Sequence, residues 1–397
     1  MVESTNSADV DGGCVEDDPF DMFGGDDDED DDADNNDDDD SDNSNEPNKR
    51  GAALAARDPE NGFNLYHPGT ELALLQYVRN GCSDSAAAAG TYNSLDTVIR
   101  LVDEFCYQRH WMMHIGPEKG QLLDDFLLSR IQNHLSKSTQ NHSSKSTTTT
   151  TTVTATTSPL FVILEIGTYC GYSCTRMIRT LQKAKADAAA AATDFHFHII
   201  TVDVDPLHTR VAKQLHQLAL TGGSVINDSS SDYSNQQNIT YITLDHQQDQ
   251  SLAFRVKDAL KQIPTIPMTN NNAAIMITPS FVFLDHDKDL YKEDLQNLES
   301  EGLIRKDCAV AADNVVFFRL DDYRNYIQQH ADQRIVSTQL VTGQVEYMNA
   351  NVIPPALPTS SSTSANEQHQ QEEEEEDWQD GIELSIYLKD PPSHEGC

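Results

Sequence analysis

Long hydrophobic runs are missing: nothing in the 397-residue chain approaches the ~18 uninterrupted apolar residues that a membrane-spanning helix needs. The first residues, Met1-Val2-Glu3-Ser4, lack a basic region followed by an apolar core, so no secretory leader is expected. Cysteine is scarce and unpatterned. The seven cysteines form no CxxC pair, which excludes a thiolate metal cluster and suits a reducing, cytoplasmic location. The sequons at Asn141, Asn227 and Asn238 would then go unused. Basic residues are also scarce: 27 Lys and Arg stand against 65 Asp and Glu, a net charge of -38. Much of that charge sits in two places. Residues 1–46 hold 21 acidic side chains and no Lys or Arg, and Glu372 to Asp377 add six more. The remainder carries about -11, ordinary for an enzyme of this size. The acidity excludes a nucleic-acid backbone as partner. Such runs cannot bury enough apolar surface to offset their chain entropy. Residues 1–58 therefore read as a disordered acidic arm, either an interaction tail or a solvated spacer.

What is present is an alternation of buried strands and amphipathic helices over residues 59–391, followed by a short tail, 392–397. Low-complexity insertions interrupt it near 136–158, 184–193, 224–237, 264–274 and 354–377. Helical spacing of apolar residues marks Thr70 to Arg79, Ser94 to His110, with Ser94 as cap, and Lys119 to His134. Apolar runs at Phe161 to Leu164, Phe197 to Val204, Ile239 to Leu244, Phe281 to Leu284 and Cys308 to Ala312 read as strands, with helices between them. Val336 to Val341 and Ile382 to Leu388 close the sheet. The alternation predicts a single α/β domain: a Rossmann-like, doubly wound, mostly parallel seven-stranded sheet with helices on both faces.

Two of the strands stop at carboxylates. Phe281-Val282-Phe283-Leu284 runs into Asp285-His286-Asp287-Lys288-Asp289, and Ala311-Ala312 into Asp313-Asn314. Ligands of open parallel sheets bind outside the carboxyl ends of the strands. Asp285, Asp313 and Asn314 would then share one crevice, and two carboxylates with an amide oxygen suit Mg²⁺. Lys288 is close enough to act on whatever the metal holds.

The turn Glu165-x-Gly167-x-x-x-Gly171 follows the first of these strands and opens a helix. Its glycines permit a tight turn and a close ligand approach, although the spacing is not the dinucleotide GxGxxG and a plain tight turn remains open. The second strand ends at Asp203, where a carboxylate can accept from ribose hydroxyls. Glu165 would face the same crevice and suits a cationic ligand such as S-adenosylmethionine better than a pyrophosphate.

Taken in order, these segments resemble the catechol O-methyltransferase family of class I, cation-dependent, S-adenosylmethionine-dependent enzymes. Leu164 to Ser173 resembles its cofactor motif. Val282 to Asp289 resembles its metal and base segment, and Gly302 to Lys306 with Ala312 to Val315 the segment of the other two ligands. Trp111-x-Met113-x-Ile115-Gly116-x-x-Lys119-Gly120 resembles its substrate gate. Val345-Glu346-Tyr347 and Asp380 to Tyr387 resemble its last strands. The similarity covers roughly residues 68 to 390. It implies Mg²⁺ on Asp285, Asp313 and Asn314, with Lys288 as general base and Glu346 as partner of the second catechol hydroxyl. By the same resemblance Ile115, Glu165, Gly167, Tyr169, Ser173, Asp203, Val204, His246, Gln247, Asp285 and His286 line the cofactor. Trp111 and Met113 lie at the substrate boundary, unless Trp111 belongs to the core.

The chain departs from the family pattern where Asp287 replaces a usual Trp and Phe318 a usual Pro, both on the walls around cofactor and substrate. His114 and His246 replace a usual Asn and Ser. The expected partner is a small catechol, acted on by a monomer. Asp287 and Phe318 leave open a larger vicinal diol such as a phenylpropanoid. A non-catalytic, cofactor-binding interaction protein is the alternative from another class.

Overall fold

A computed structural model describes residues 69–88, 94–143, 160–221, 238–244, 251–263, 277–347 and 379–392. The acidic arm, the block at 372–377, most of the predicted insertions, His246 and Gln247 lie outside the described residues. Three helices come first: α1 (Thr70–Ala88), α2 (Ser94–Gln108) and α3 (Gly116–Ser143). Strands and helices then alternate: β1 (Leu160–Ile166), α4 (Tyr172–Ala190), β2 (His196–Asp203), α5 (Pro206–Thr221), β3 (Ile239–Thr243) and α6 (Leu252–Gln262). The second half holds β4 (Phe281–Leu284), a short 3₁₀ turn (Lys288–Leu290), α7 (Tyr291–Ser300), β5 (Ala309–Ala312), α8 (Asp321–Asp332), β6 (Val336–Gln344) and β7 (Gln379–Tyr387).

The sheet order is β3-β2-β1-β4-β5-β7-β6. Strands β1 to β5 pair in parallel, and β7 runs antiparallel to both β5 and β6. Side chains alternate along each central strand and so divide into two cores. Phe161, Ile163, Phe281 and Phe283 pack with α1 to α5, whereas Val162, Leu164, Val282 and Leu284 pack with α6 to α8. Burial of each such side chain stabilises by about 1.5–3 kcal/mol, which is why these strands read as continuous apolar runs. Among the described residues no helix is long and apolar enough to cross a membrane.

Two local expectations need correction. Helix α3 continues to Ser143, so the Ser/Thr tract predicted as a loop from residue 136 begins as helix. Loop-like composition does not stop a helix that is already nucleated and packed, because propagation needs only one more hydrogen bond per residue. Ser94 opens α2, but its hydroxyl donates to the carbonyl of Ala219 in the last turn of α5. It satisfies an orphan acceptor of the neighbouring helix.

Candidate active site

Parallel pairing sets the site. Leu284 of β4 aligns with Ala312 of β5, so Asp285 and Asp313 leave adjacent strand ends at the same level. Asn314 follows with φ 59°, a left-handed conformation that asparagine tolerates better than most residues. Lys288 turns back over the strand ends. Its Nζ donates to Asp285 Oδ1 at 2.7 Å and to the Tyr291 hydroxyl at 2.8 Å. Tyr291 is fully buried, and its hydroxyl hydrogen is shared by the carbonyls of Leu284 at 2.9 Å and Asp313 at 3.2 Å. One phenol thus joins the proposed base to both strand ends. Phe318 stands beside it, with its ring centroid 5.9 Å from Lys288 Nζ.

Asp313 belongs to a second group. Asp313, Glu346 and Asp380 each bring a carboxylate oxygen within 4.8 Å of the other two. Lys119 Nζ sits among the three, 2.8 Å from Asp313 Oδ1 and in closer contact with Glu346 and Asp380. Burial disfavours the Lys119 ammonium, but the three acids prevail and hold its pKa well above the ordinary value. One ammonium cannot compensate three buried carboxylates. Burial accordingly pushes the carboxyls of Asp313 and Glu346 up, against the pull of Lys119. Lys119 Nζ donates to Asp313 Oδ2 at 3.0 Å, while Asp313 Oδ1, 2.8 Å from the same Nζ, has no hydrogen-bond partner. A buried carboxylate oxygen without a hydrogen bond, in a cluster holding three acids and one ammonium, fits a divalent cation held by oxygen donors.

The glycine turn is packed against this end of the sheet. Gly167 has φ 99°, and a Cβ there would lie 2.2 Å from the carbonyl oxygen of Asp285. Asp203, at the end of β2, accepts from the Tyr169 amide at 2.7 Å, from the Asp205 amide at 2.8 Å and from His208 Nδ1 at 3.2 Å. Burial pushes the Asp203 carboxyl up, but these bonds outweigh it and hold it below its ordinary value. Burial likewise disfavours the His208 imidazolium, and the Asp203 bond with the charges of Asp203 and Asp205 raises it overall. Stability from the raised histidine is complete below its unfolded value of about 6.5 and is lost as pH climbs through the higher folded value. Replacing His208 by Gln is therefore expected to cost on the order of 1 kcal/mol near pH 6 and to cost progressively less as pH rises above neutrality. Urea denaturation across that range checks it; an equal loss at pH 6 and pH 9 would mean that the ring only packs.

Glu165 departs from the expectation of an open, cation-facing carboxylate. It is fully buried under the turn, with one oxygen accepting from Ser173 Oγ at 2.6 Å and the other from Thr201. Burial pushes its pKa up to about 8 despite those two bonds, so near neutrality the free protein holds it mostly protonated. Ser173 is thereby also engaged. Tyr169 donates its hydroxyl to Glu71 at 3.3 Å, and Val204 is half exposed at the strand end.

The gate segment divides. Met113 is half exposed, whereas Trp111 and Ile115 belong to the core. The Trp111 indole donates to the carbonyl of Glu346 at 2.8 Å and so anchors that residue. His114 is buried beside Tyr169 and Tyr172, ring centroids 5.2 and 5.3 Å away, and burial lowers its pKa to about 3. It is a neutral ring. His286 is bonded through Nε2 to Asp294 at 3.0 Å and stacks on Tyr291. Asp287, read as a substrate wall, is exposed, and its carboxylate accepts from the Asp289 amide at 3.1 Å to cap the 3₁₀ turn. A short polar side chain at that position serves the turn first.

Lys119, Tyr291, His208 and Asp380 are site residues that the sequence reading left without roles. Lys119 carried a usable signal: it continues the apolar stripe of Leu123, Leu127 and Ile131 on α3, and a lysine on a buried stripe needs an acid.

No family model matches the chain. Catechol O-methyltransferase B of Danio rerio is 27% identical over 234 residues, 58% of this chain and 61% of the relative. The chain resembles the catechol O-methyltransferases. Catechol O-methyltransferase of Bos taurus is 24% identical over 258 residues, 65% of this chain and 66% of its own length. That of Mus musculus is 25% identical over 232 residues, 58% and 61% of the two chains. The chain thus spans 61 to 66% of the length of these relatives. Of the motifs that carry the resemblance, the cofactor motif, the metal and base segment and the segment through Asp313 and Asn314 lie at the carboxyl ends of β1, β4 and β5.

Proposed function

We propose that the protein transfers the methyl group of S-adenosylmethionine to one hydroxyl of a catechol in a Mg²⁺-dependent reaction. The observation that carries this reading is the meeting of Asp285, Lys288, Asp313 and Asn314 at two adjacent strand ends, beside the glycine turn. The catechol O-methyltransferase names of the relatives agree with it. Asp285, Asp313 and Asn314 would hold the cation, and the turn at Gly167 with Asp203 would hold the cofactor. Bound there, Mg²⁺ would lower the pKa of both catechol hydroxyls and S-adenosylmethionine would supply the methyl group.

The chain's own groups do the rest. Lys288, positioned by Asp285 and Tyr291, takes the proton of the attacking hydroxyl when its amine is uncharged, the only form with a lone pair to receive it. Glu346 accepts from the other hydroxyl and so selects the oxygen that attacks. Phe318 offers an apolar edge beside Lys288. Fixing both reactants on one sheet edge makes proximity and orientation a large part of the acceleration.

The test is a methyl-transfer assay on a small catechol. Turnover is expected with Mg²⁺, to vanish in EDTA, and to return only weakly with Ca²⁺, whose larger and looser shell misplaces the two oxygens. Full turnover in chelator would sink the metal assignment.

A further inference from the structure

Asp380 has no part in the chemistry just described, yet it is fully buried beside the proposed cation ligands. It stands at the head of β7. Its Oδ1 accepts from the Phe317 amide at 3.2 Å, which fastens the turn that follows Asn314. Its Oδ2 accepts from Asn314 Nδ2 at 2.7 Å and contacts Lys119 Nζ. Asn314 Nδ2 has a second partner, Glu346 Oε1, at 3.0 Å.

A side-chain amide has two unlike ends. Its nitrogen carries two hydrogens and its oxygen only accepts. A carboxylate accepts only, so it takes the nitrogen end and rejects the oxygen end. Two carboxylates on Nδ2 use both hydrogens, which leaves Oδ1 turned away from Glu346 and Asp380. Oxygen is the end that a hard cation takes as ligand.

We propose that Asp380 is a positioning residue that locks the Asn314 amide in the one orientation offering Oδ1 to a divalent cation. The inference rests on the reading of Asp285, Asp313 and Asn314 as cation ligands. It assigns Asp380 a task separate from charge balance on Lys119.

Mn²⁺ binding to the full chain without cofactor or acceptor tests it, with free Mn²⁺ followed by its electron paramagnetic resonance signal. Asp380→Asn is expected to weaken Mn²⁺ affinity by about 10- to 100-fold, the range for residues that orient metal ligands. The deciding variant is Asp380→Asn combined with Asn314→Asp. A carboxylate presents oxygen whichever way it turns and needs no orienting partner. On the Asn314→Asp background, Asp380→Asn should therefore cost nothing. An equal loss on both backgrounds would mean that Asp380 contributes only charge, and would overturn the inference. So would parent-like affinity in Asp380→Asn alone. If the parent binds no Mn²⁺, the cation reading itself falls and the inference falls with it. If Asp380→Asn alone does not fold, the double variant and Asn314→Asp remain comparable, and the proposal requires them to bind alike.

Discussion

Replacing Lys288 by Met is expected to lower kcat by about 10²-fold or more, the contribution of a positioned general base. The cofactor Kd should move little, because the base acts on the attacking hydroxyl and not on the cofactor. The geometry adds a condition. Lys288 Nζ also bonds Asp285 Oδ1 at 2.7 Å, so the substitution frees a carboxylate that the cation reading assigns to the metal. Mn²⁺ affinity should be measured beside turnover. A fall in kcat with unchanged Mn²⁺ affinity assigns the loss to proton transfer, since a group used only in the transition state lowers kcat and kcat/KM together. Turnover within a few-fold of the parent would mean that another group takes the proton.

The parts of this molecule that the sequence exposes are those governed by local or strictly periodic rules. Phe281 to Leu284 is bounded identically in sequence and structure because a central parallel strand must be apolar on both faces and polar at its end. The same rule located Asp285 and Asp313, and parallel register then places them side by side with no further information. Helix ends were less legible. The Ser/Lys/Thr stretch after His134 has a loop's composition, yet α3 runs on to Ser143, and α1 outlasts Arg79 to reach Ala88.

Roles that depend on distant partners were not legible. Lys119 and Asp380 lie 261 positions apart and meet in the fold through an ion pair. Neither has a neighbour in sequence that announces the other. Glu165 illustrates the converse. Its place before the glycine turn suggested an open carboxylate, but Thr201 comes from the next strand, 36 positions on, and closes it in. Asp287 shows local chemistry overriding a positional analogy. A family position is a wall only if its side chain reaches the pocket, and an Asp two residues before Asp289 bonds that residue's amide instead.

Replacing Gly167 by Ala is expected to be the most damaging single-methyl change in the described fold. The Cβ would lie 2.2 Å from the Asp285 carbonyl oxygen, 2.5 Å from its carbon and 2.8 Å from the His286 nitrogen. All three are backbone atoms, so no side chain can swing aside. The residue also sits at φ 99°, which an L side chain resists. Overpacking of about 1–3 kcal/mol and left-handed strain of about 1–2 kcal/mol together predict a loss of about 2–5 kcal/mol. Gly69 supplies the internal control. Its φ is 88°, and a Cβ there would meet nothing within 4 Å, so Gly69→Ala should show the strain without the collision. Chemical denaturation of the two variants against the parent separates the contributions. Function should follow the collision, because relief requires the glycine turn and the Asp285 strand end to part. The folded fraction of Gly167→Ala should then bind S-adenosylmethionine and Mn²⁺ more weakly together, whereas Gly69→Ala should bind both as the parent does. A Gly167→Ala protein no less stable than Gly69→Ala, with both affinities intact, would show that the turn and the strand end are not held in register by this contact.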